Sequence, residues 1–315
     1  MKKITICGGD SLKNISKLIF TLTILLFILS ANTFSQIQEI NVLIPFGPSI
    51  IPFAPLMSSN NQVDIKINFI IWRTIDELAI KVKDGNFDIL ISPFVTLVNL
   101  QNKGIIKARH LATFNWASFY LVTNKNKKDF VGENIYIAQK GSTQDIIFSI
   151  YLQEKNLKDK VHIYYSTPQE ITTLFIAKKI NYALLPEPYV SMCLSEGGSI
   201  ILDIQRVYRD FNKAHLPITS IGINEKIRKD LVIKIDRIFR DNFKKLHDNP
   251  DPFIEKASSI LKIDKNIINL SFKRHSFRYQ GNSAKKDLLT FLNFILEKTP
   301  QVIDNKLPNE EFFKI

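Results

Sequence analysis

Asn181-Tyr-Ala-Leu-Leu-Pro-Glu-Pro-Tyr-Val190 is an apolar run that ends in a rigid, proline-flanked turn carrying a carboxylate and an aromatic ring. The same pattern occurs earlier, at Asn86-Phe-Asp-Ile-Leu-Ile-Ser-Pro-Phe-Val95. Aligned asparagine on asparagine, the two stretches share Asn, Leu, Pro and Val, with Phe/Tyr twice and Ile/Leu once. Each follows a segment that opens with a capping box, Thr74-x-x-Glu77 in one case and Thr167-Pro168-x-Glu170 in the other. The pattern predicts two helix–strand–turn units, each finishing at the C-terminal end of a buried strand. In open α/β sheets that is where ligands bind. The alternative is a chance likeness between two common units, because short apolar strands resemble one another.

Outward from these units, strands are expected at 40–44, 65–71, 87–91, 109–114, 118–123, 134–138, 161–165, 182–185 and 200–204. Helices are expected at 74–83, from Pro93 to Gln101, from the Gly141 turn to Glu154, at 168–177 and at 190–194. Such alternation argues for parallel sheets. His215–Ile223 reads as extended, and the chain beyond Glu225 as helical. The fold class is therefore α/β with two lobes, each a mostly parallel sheet flanked by helices. Residues 36–123 plus 216–315 form the first lobe and 124–215 the second. Two crossings between lobes make a hinge, and hinge closure around a ligand uses that geometry.

Residues 1–35 read as a signal peptide. Lys2, Lys3, Lys13 and Lys17 precede an apolar run from Leu18 to Leu29, and the small residues Thr33 and Ser35 suit cleavage before Gln36. A run of that length is too short to span a bilayer, which needs roughly twenty residues. An uncleaved anchor is the alternative. Cys7 leaves with the leader, so the mature chain keeps Cys193 alone and forms no internal disulfide. No cysteine follows the apolar run to accept a lipid. The expectation is an exported, periplasmic, monomeric protein. The formal charge of +12 falls to +9 once four lysines and one aspartate depart with the leader. The basic residues are scattered, which reads as a solvated surface, and nucleic acid is not an expected partner.

These stretches resemble a family. Trp72-Arg-Thr-Ile-Asp-Glu-Leu, Gly85-Asn-Phe-Asp-Ile-Leu-Ile-Ser-Pro, Gly141-Ser-Thr-Gln-Asp-Ile, Ser166-Thr-Pro-Gln-Glu, Ala183-Leu-Leu-Pro-Glu-Pro and Lys306-Leu-Pro-Asn-Glu-Glu-Phe occur in the order found in solute-binding proteins of ABC transporters. The resemblance is to the type-II periplasmic-binding fold, in the branch of nitrate, sulfonate, taurine and thiamine-precursor binders. It spans nearly the whole mature chain. It implies a Venus-flytrap protein that captures a small organic solute, anionic or partly aromatic, and delivers it to a membrane permease with its ATPase. Gln144 stands where relatives often have proline. Ser92-Pro-Phe-Val replaces a smaller, more polar loop, which argues against a small inorganic anion.

The first binding candidates are Gly141, Ser142 and Thr143. Glycine permits the tight turn, and one of the two hydroxyls caps the helix, leaving free N–H groups and the positive end of the dipole for an anion. A plain helix cap is the bland alternative; the resemblance favours binding, since this turn faces the cleft in relatives. Glu187, held between prolines, could accept from a ligand N–H, or pair with a lysine, or fix the hinge. Phe46, beside Gly47, and Trp72, Phe94, Trp116 and Tyr189 cluster at strand ends, where rings suit a planar ligand. Core packing is the usual fate of such rings, and two or three of the five are expected in the cleft. Ser92 and Asn115 complete the candidates. No His-x-x-x-His, Cys-x-x-Cys or Gly-x-Ser-x-Gly is present, so no catalytic residue, metal or cofactor is expected. An exported enzyme on the same fold, or the ligand-binding subunit of a membrane sensor, are the competing readings.

Overall fold

The computed structural model describes residues 38–58, 65–85, 87–126 and 129–314. The leader read at 1–35 and Asn86, which opens the first of the paired stretches, lie outside these residues. In chain order, β1 (Gln38–Pro45) leads through a 3-10 turn (Pro48–Phe53) into α1 (Ala54–Ser58). Next come β2 (Ile65–Trp72), α2 (Ile75–Lys83), β3 (Ile89–Pro93), α3 (Phe94–Asn102) and β4 (Ala108–Asn115). A second set holds β5 (Phe119–Thr123), β6 (Asn134–Ala138), α4 (Thr143–Glu154), β7 (His162–Ser166), α5 (Pro168–Ile176), β8 (Tyr182–Pro186), α6 (Tyr189–Ser195), β9 (Ser199–Asp203) and α7 (Ile204–Asn212). The chain then runs through β10 (Thr219–Asn224), α8 (Lys229–Asp248), α9 (Asp251–Leu261), α10 (Lys265–Phe272), β11 (Phe277–Gln280) and α11 (Lys285–Lys298).

The strands form two sheets. One has six strands in the order β11-β4-β10-β3-β1-β2, the other five in the order β7-β6-β8-β5-β9. Among the described pairings, helix-linked strands run parallel: β1 with β3, and β6 with both β7 and β8. The strands next to the crossings run the other way. β10 lies antiparallel between β3 and β4, and β5 lies antiparallel between β8 and β9. A strand that carries the chain back from the other sheet enters from the opposite end, so both sheets are mixed. The sequence reading places the lobe boundary at Thr123. β5 is hydrogen-bonded into the five-stranded sheet, so the chain changes sheets at 116–118.

Local chemistry accounts for most elements. Thr74 and Thr167 cap α2 and α5, each hydroxyl accepting from the N–H three residues on, at 3.1 and 3.2 Å. Along α8, Leu231, Ile235, Phe239, Phe243 and Leu246 are buried, the stripe that a 3.6-residue period dictates. The abundance of phenylalanine is largely core packing. Phe53 is fully buried and meets Phe114, Phe239 and Phe243 edge-on, with centroids 5.2–5.6 Å apart. Each such pair adds about 0.5–1.5 kcal/mol beyond its burial.

His110 is buried in this framework, and both ring nitrogens of the half-buried His275 are shielded from water. His110 packs against Phe94 and hydrogen-bonds Thr113 Oγ1 at 2.9 Å; burial lowers its pKa to about 3. His275 stacks on Phe277, and burial, helped by the charge of Arg274, lowers its pKa to about 3 as well. The unfolded chain therefore binds more protons than the folded one between pH 6.5 and 3. Stability is fully present above pH 6.5 and falls as pH drops through that window. From pH 6.5 to 5.5 each ring is expected to remove about 1 kcal/mol of unfolding free energy. Denaturation at the two pH values checks this, and His275→Phe should abolish its half of the loss.

Candidate functional site

The strand ends converge on one cavity of about 460 Å³. Pro45 ends β1, Phe46 and Gly47 follow it, and Pro93 ends β3. Ala138 and Pro186 end β6 and β8, and Asn115 ends β4; all line the cavity. Helices begin there as well: Thr74, Ser142 and Thr167, the N-caps of α2, α4 and α5, lie on its wall. Ser142 is the residue that caps α4, with Asp145 N–H donating to its Oγ at 3.4 Å. Gly141 takes φ +75° to bring the chain into that cap, and its N–H donates to Asp145 Oδ2 at 2.8 Å. The first N–H groups of each helix have no intrahelical acceptor, and the dipoles place positive potential at the helix starts.

The polar lining is incompletely satisfied. Asn115 Oδ1 and Nδ2, Ser118 Oγ, Thr143 Oγ1 and Gln144 Oε1 are buried with no hydrogen-bond partner in the protein. Asn115 belongs to the six-stranded sheet, Thr143 and Gln144 open α4 beside the five-stranded sheet, and Ser118 lies on the crossing. A buried polar atom left unpaired costs about 1–3 kcal/mol, so four such residues around one cavity are costly unless something fills it.

Among the described residues that line the cavity, Arg73 alone is ionised. Its guanidinium carbon lies 4.0 Å from the centroid of the Phe46 ring. The strand end holds this pair in place, since Phe46 N–H donates to Trp72 carbonyl oxygen at 2.8 Å and Arg73 N–H donates to Glu77 Oε2 at 2.8 Å. Burial pushes the Tyr189 phenol up to about 12, although the charge of Arg73 opposes that shift. Tyr189 is therefore a neutral hydroxyl at physiological pH. The wall thus offers a cation, helix N-termini and neutral hydrogen-bonding groups, with no carboxylate.

The structure brings Phe46, Gly47, Asn115, Ser142, Thr143 and Tyr189 together on this cavity. Trp72 and Gly141 lie on an adjoining smaller cavity instead. The other candidates face away. Ser92 is buried and donates to Pro93 carbonyl oxygen at 3.2 Å. Phe94 packs in the core against Phe291 and His110. Trp116 donates its indole N–H to Arg278 carbonyl oxygen at 3.0 Å under the Arg278 guanidinium. Glu187 is fully buried, paired with Arg274 and accepting from Ser191 N–H and Oγ at 3.0 and 2.7 Å. Arg73, Ser118 and Gln144 were not singled out from the sequence. Arg73 had a signal, as the residue between a strand end and an N-cap; Ser118 had none. Among the described residues no group of three metal-ligating side chains occurs, and no helix is long and apolar enough to cross a membrane.

No protein-family model and no curated protein matches the sequence. Solved structures do match. An ABC transporter protein from Parabacteroides distasonis superposes with a TM-score of 0.77 at 24% identity, over 88% of this chain and 99% of that one. The periplasmic aliphatic sulphonate binding protein SsuA from Escherichia coli superposes at 0.69 with 13% identity, over 88% and 92%. The fold is that of the two-lobed periplasmic binding proteins. The alkanesulfonate-binding protein SsuA from Xanthomonas axonopodis pv. citri, bound to MOPS, gives 0.67 and 13% over 86% and 96%. Each of these three structures is described as a transporter or a binding protein. In this chain the fold brings the C-terminal ends of parallel strands from both sheets to the cavity just described.

Proposed function

We propose that this protein is the exported solute receptor of an ABC importer, and that it holds a small organic anion in the cavity between its sheets. One observation carries the reading: unpartnered polar side chains from both sheets, Asn115 on one side and Thr143 and Gln144 on the other, line the same cavity. A solute that pairs with both sides favours the closed arrangement over the open one, by as much as its affinities for the two differ. In this reading the six-stranded sheet and its helices are one lobe, the five-stranded sheet with α4 to α7 is the other, and 116–118 and 213–218 are the hinge. Docking of the closed form onto a permease follows from the importer reading, as does the absence of turnover.

Ligand polarity follows from the lining. Among the described residues on the wall Arg73 is the one charged side chain, and a cationic solute would meet no counter-charge among them. Phe46 and Tyr189 give the solute body an apolar, partly aromatic seat. The sulfonate binding named for two of the fold neighbours supports an acidic head group. Mass spectrometry of small molecules released from the denatured protein tests this, with a single acidic organic compound at near-stoichiometric amount as the expected result. A cationic or sugar-like compound would overturn the anion assignment, and steady turnover of the bound compound would overturn the receptor reading. Arg73→Ala is expected to weaken the released compound's binding about tenfold with little change in stability, as for loss of one charge-assisted contact at a partly open site. Titration calorimetry reads the change.

A further inference from the structure

A second cavity of about 210 Å³ adjoins the first. Among the described residues, Pro93, Gln139 and Ser142 line both. Gly141 lies on the smaller cavity, Thr143 on the larger and Ser142 on both, which makes the start of α4 the partition. The smaller cavity has its own unmet polar group. Trp72 is 4% exposed, and its indole Nε1–H has no partner in the protein. An indole N–H only donates, so it calls for an acceptor. Asn99 on the same wall is engaged, its Nδ2 donating to Val302 carbonyl oxygen at 2.8 Å. Lys140 is the one ionised residue among those described on this wall, as Arg73 is on the other, and neither wall carries an acid.

We infer that the smaller cavity is the far end of the solute site and that the solute is an elongated molecule with an acidic group at each end. This rests on the receptor reading above. One acidic group takes Arg73 and the Asn115 and Thr143 side, the chain passes Ser142, and the other accepts from Trp72 Nε1–H, with Lys140, whose ammonium now lies 5.8 Å from the Tyr165 ring centroid, on the same wall. A monoacid fills the larger cavity and leaves the indole unpaired. A linear diacid of matching length satisfies both ends. The side-chain chemistry discriminates by number of acidic groups and by spacing, and the linker passes Pro93 and the Gln139–Ser142 turn.

The test uses linear diacids from succinate to sebacate with the matching monocarboxylates, together with butane-1,4-disulfonate and butanesulfonate, titrated into the ligand-stripped protein. At one chain length the diacid is expected to bind about tenfold tighter than its monoacid, the scale of one hydrogen bond to a charged group. Trp72→Phe keeps the ring but removes the donor, so it should erase that excess and leave the monoacid unchanged. Lys140→Gln alters an exposed residue outside the core and should reduce the excess several-fold, which keeps the test decisive if the Trp72 variant folds poorly. Diacids that bind no tighter than monoacids, or an excess that survives both substitutions, would overturn the inference while leaving a monoanion receptor standing. Failure of every acid in the panel, monoacids included, would overturn both, and so is distinguishable from failure of this inference alone.

Discussion

Arg274→Met is expected to lower the unfolding free energy by about 3 kcal/mol, at the lower end of what breaking a buried ion pair costs. For a chain of this size that is a fall in melting temperature of about 6–12 °C. Glu187 has no exposed surface, while the Arg274 side chain is 26% exposed, so the loss falls on the carboxylate. Without the guanidinium, Glu187 keeps only its two bonds from Ser191 and remains a charge in an apolar setting. Its charge already reaches its neighbours: burial and then the Glu187 carboxylate push the Cys193 thiol up to about 12. Glu187→Leu combined with Arg274→Met should recover most of the stability, because no uncompensated charge is then left. Chemical denaturation of the single and double variants measures the coupling. A single variant as stable as the parent would show that the pair carries little. The position of the pair gives the result wider meaning. Arg274 lies between α10 and β11, and β11 is bonded to β4 of the six-stranded sheet, whereas Glu187 and Ser191 border α6 beside the five-stranded sheet. The pair therefore fastens a segment leading out of one sheet onto the other, close to Pro186 and Tyr189 on the cavity wall.

That pair also marks the limit of what the sequence discloses. Capping is local, so Thr74/Glu77 and Thr167/Glu170 were legible as helix starts, and both N-caps do line the cavity. The likeness between the two strand-and-turn stretches was legible for the same reason, and Pro93 and Pro186 occupy equivalent strand ends on that wall. The role of Glu187 was not legible, because its partner lies 87 residues away. Ring type did not separate Phe46 and Tyr189, on the cavity, from Phe94 and Trp116, in the interior; that depends on which side of a turn faces the other sheet. α7 was missed although Ile204, Val207, Tyr208 and Phe211 recur at helical spacing and Asp203 caps it. β11 carried no signal, being four residues of mixed polarity whose extended form is imposed by β4. Strand direction was beyond reach too, since the sequence of β10 or β5 contains nothing that tells parallel from antiparallel neighbours.

Asn115→Leu is expected to move stability and binding in opposite directions. Both polar atoms of Asn115 are buried without partners, so the free protein bears a desolvation cost of about 1–3 kcal/mol that leucine, larger but with the same branched heavy-atom skeleton and the adjoining cavity to extend into, does not. The backbone contribution is indifferent to the change, because Asn115 carbonyl oxygen accepts from Ile218 N–H at 3.0 Å and the residue pairs with Thr219 and Phe277 through the main chain. The ligand-free variant should therefore melt a few degrees higher than the parent. Binding of the compound released from the parent should weaken about a hundredfold or more, since the solute's polar group would then face an alkyl chain in a closed cavity, where an unmade hydrogen bond is expensive. Differential scanning calorimetry of the stripped protein and titration of the solute read the two effects separately. A residue serving the fold alone would give a less stable variant whose affinity is otherwise intact, and that outcome would remove Asn115 from the site. Opposed effects would instead mean that the free protein holds its polar groups unpaired at a cost in stability, and that the missing partners arrive with the solute.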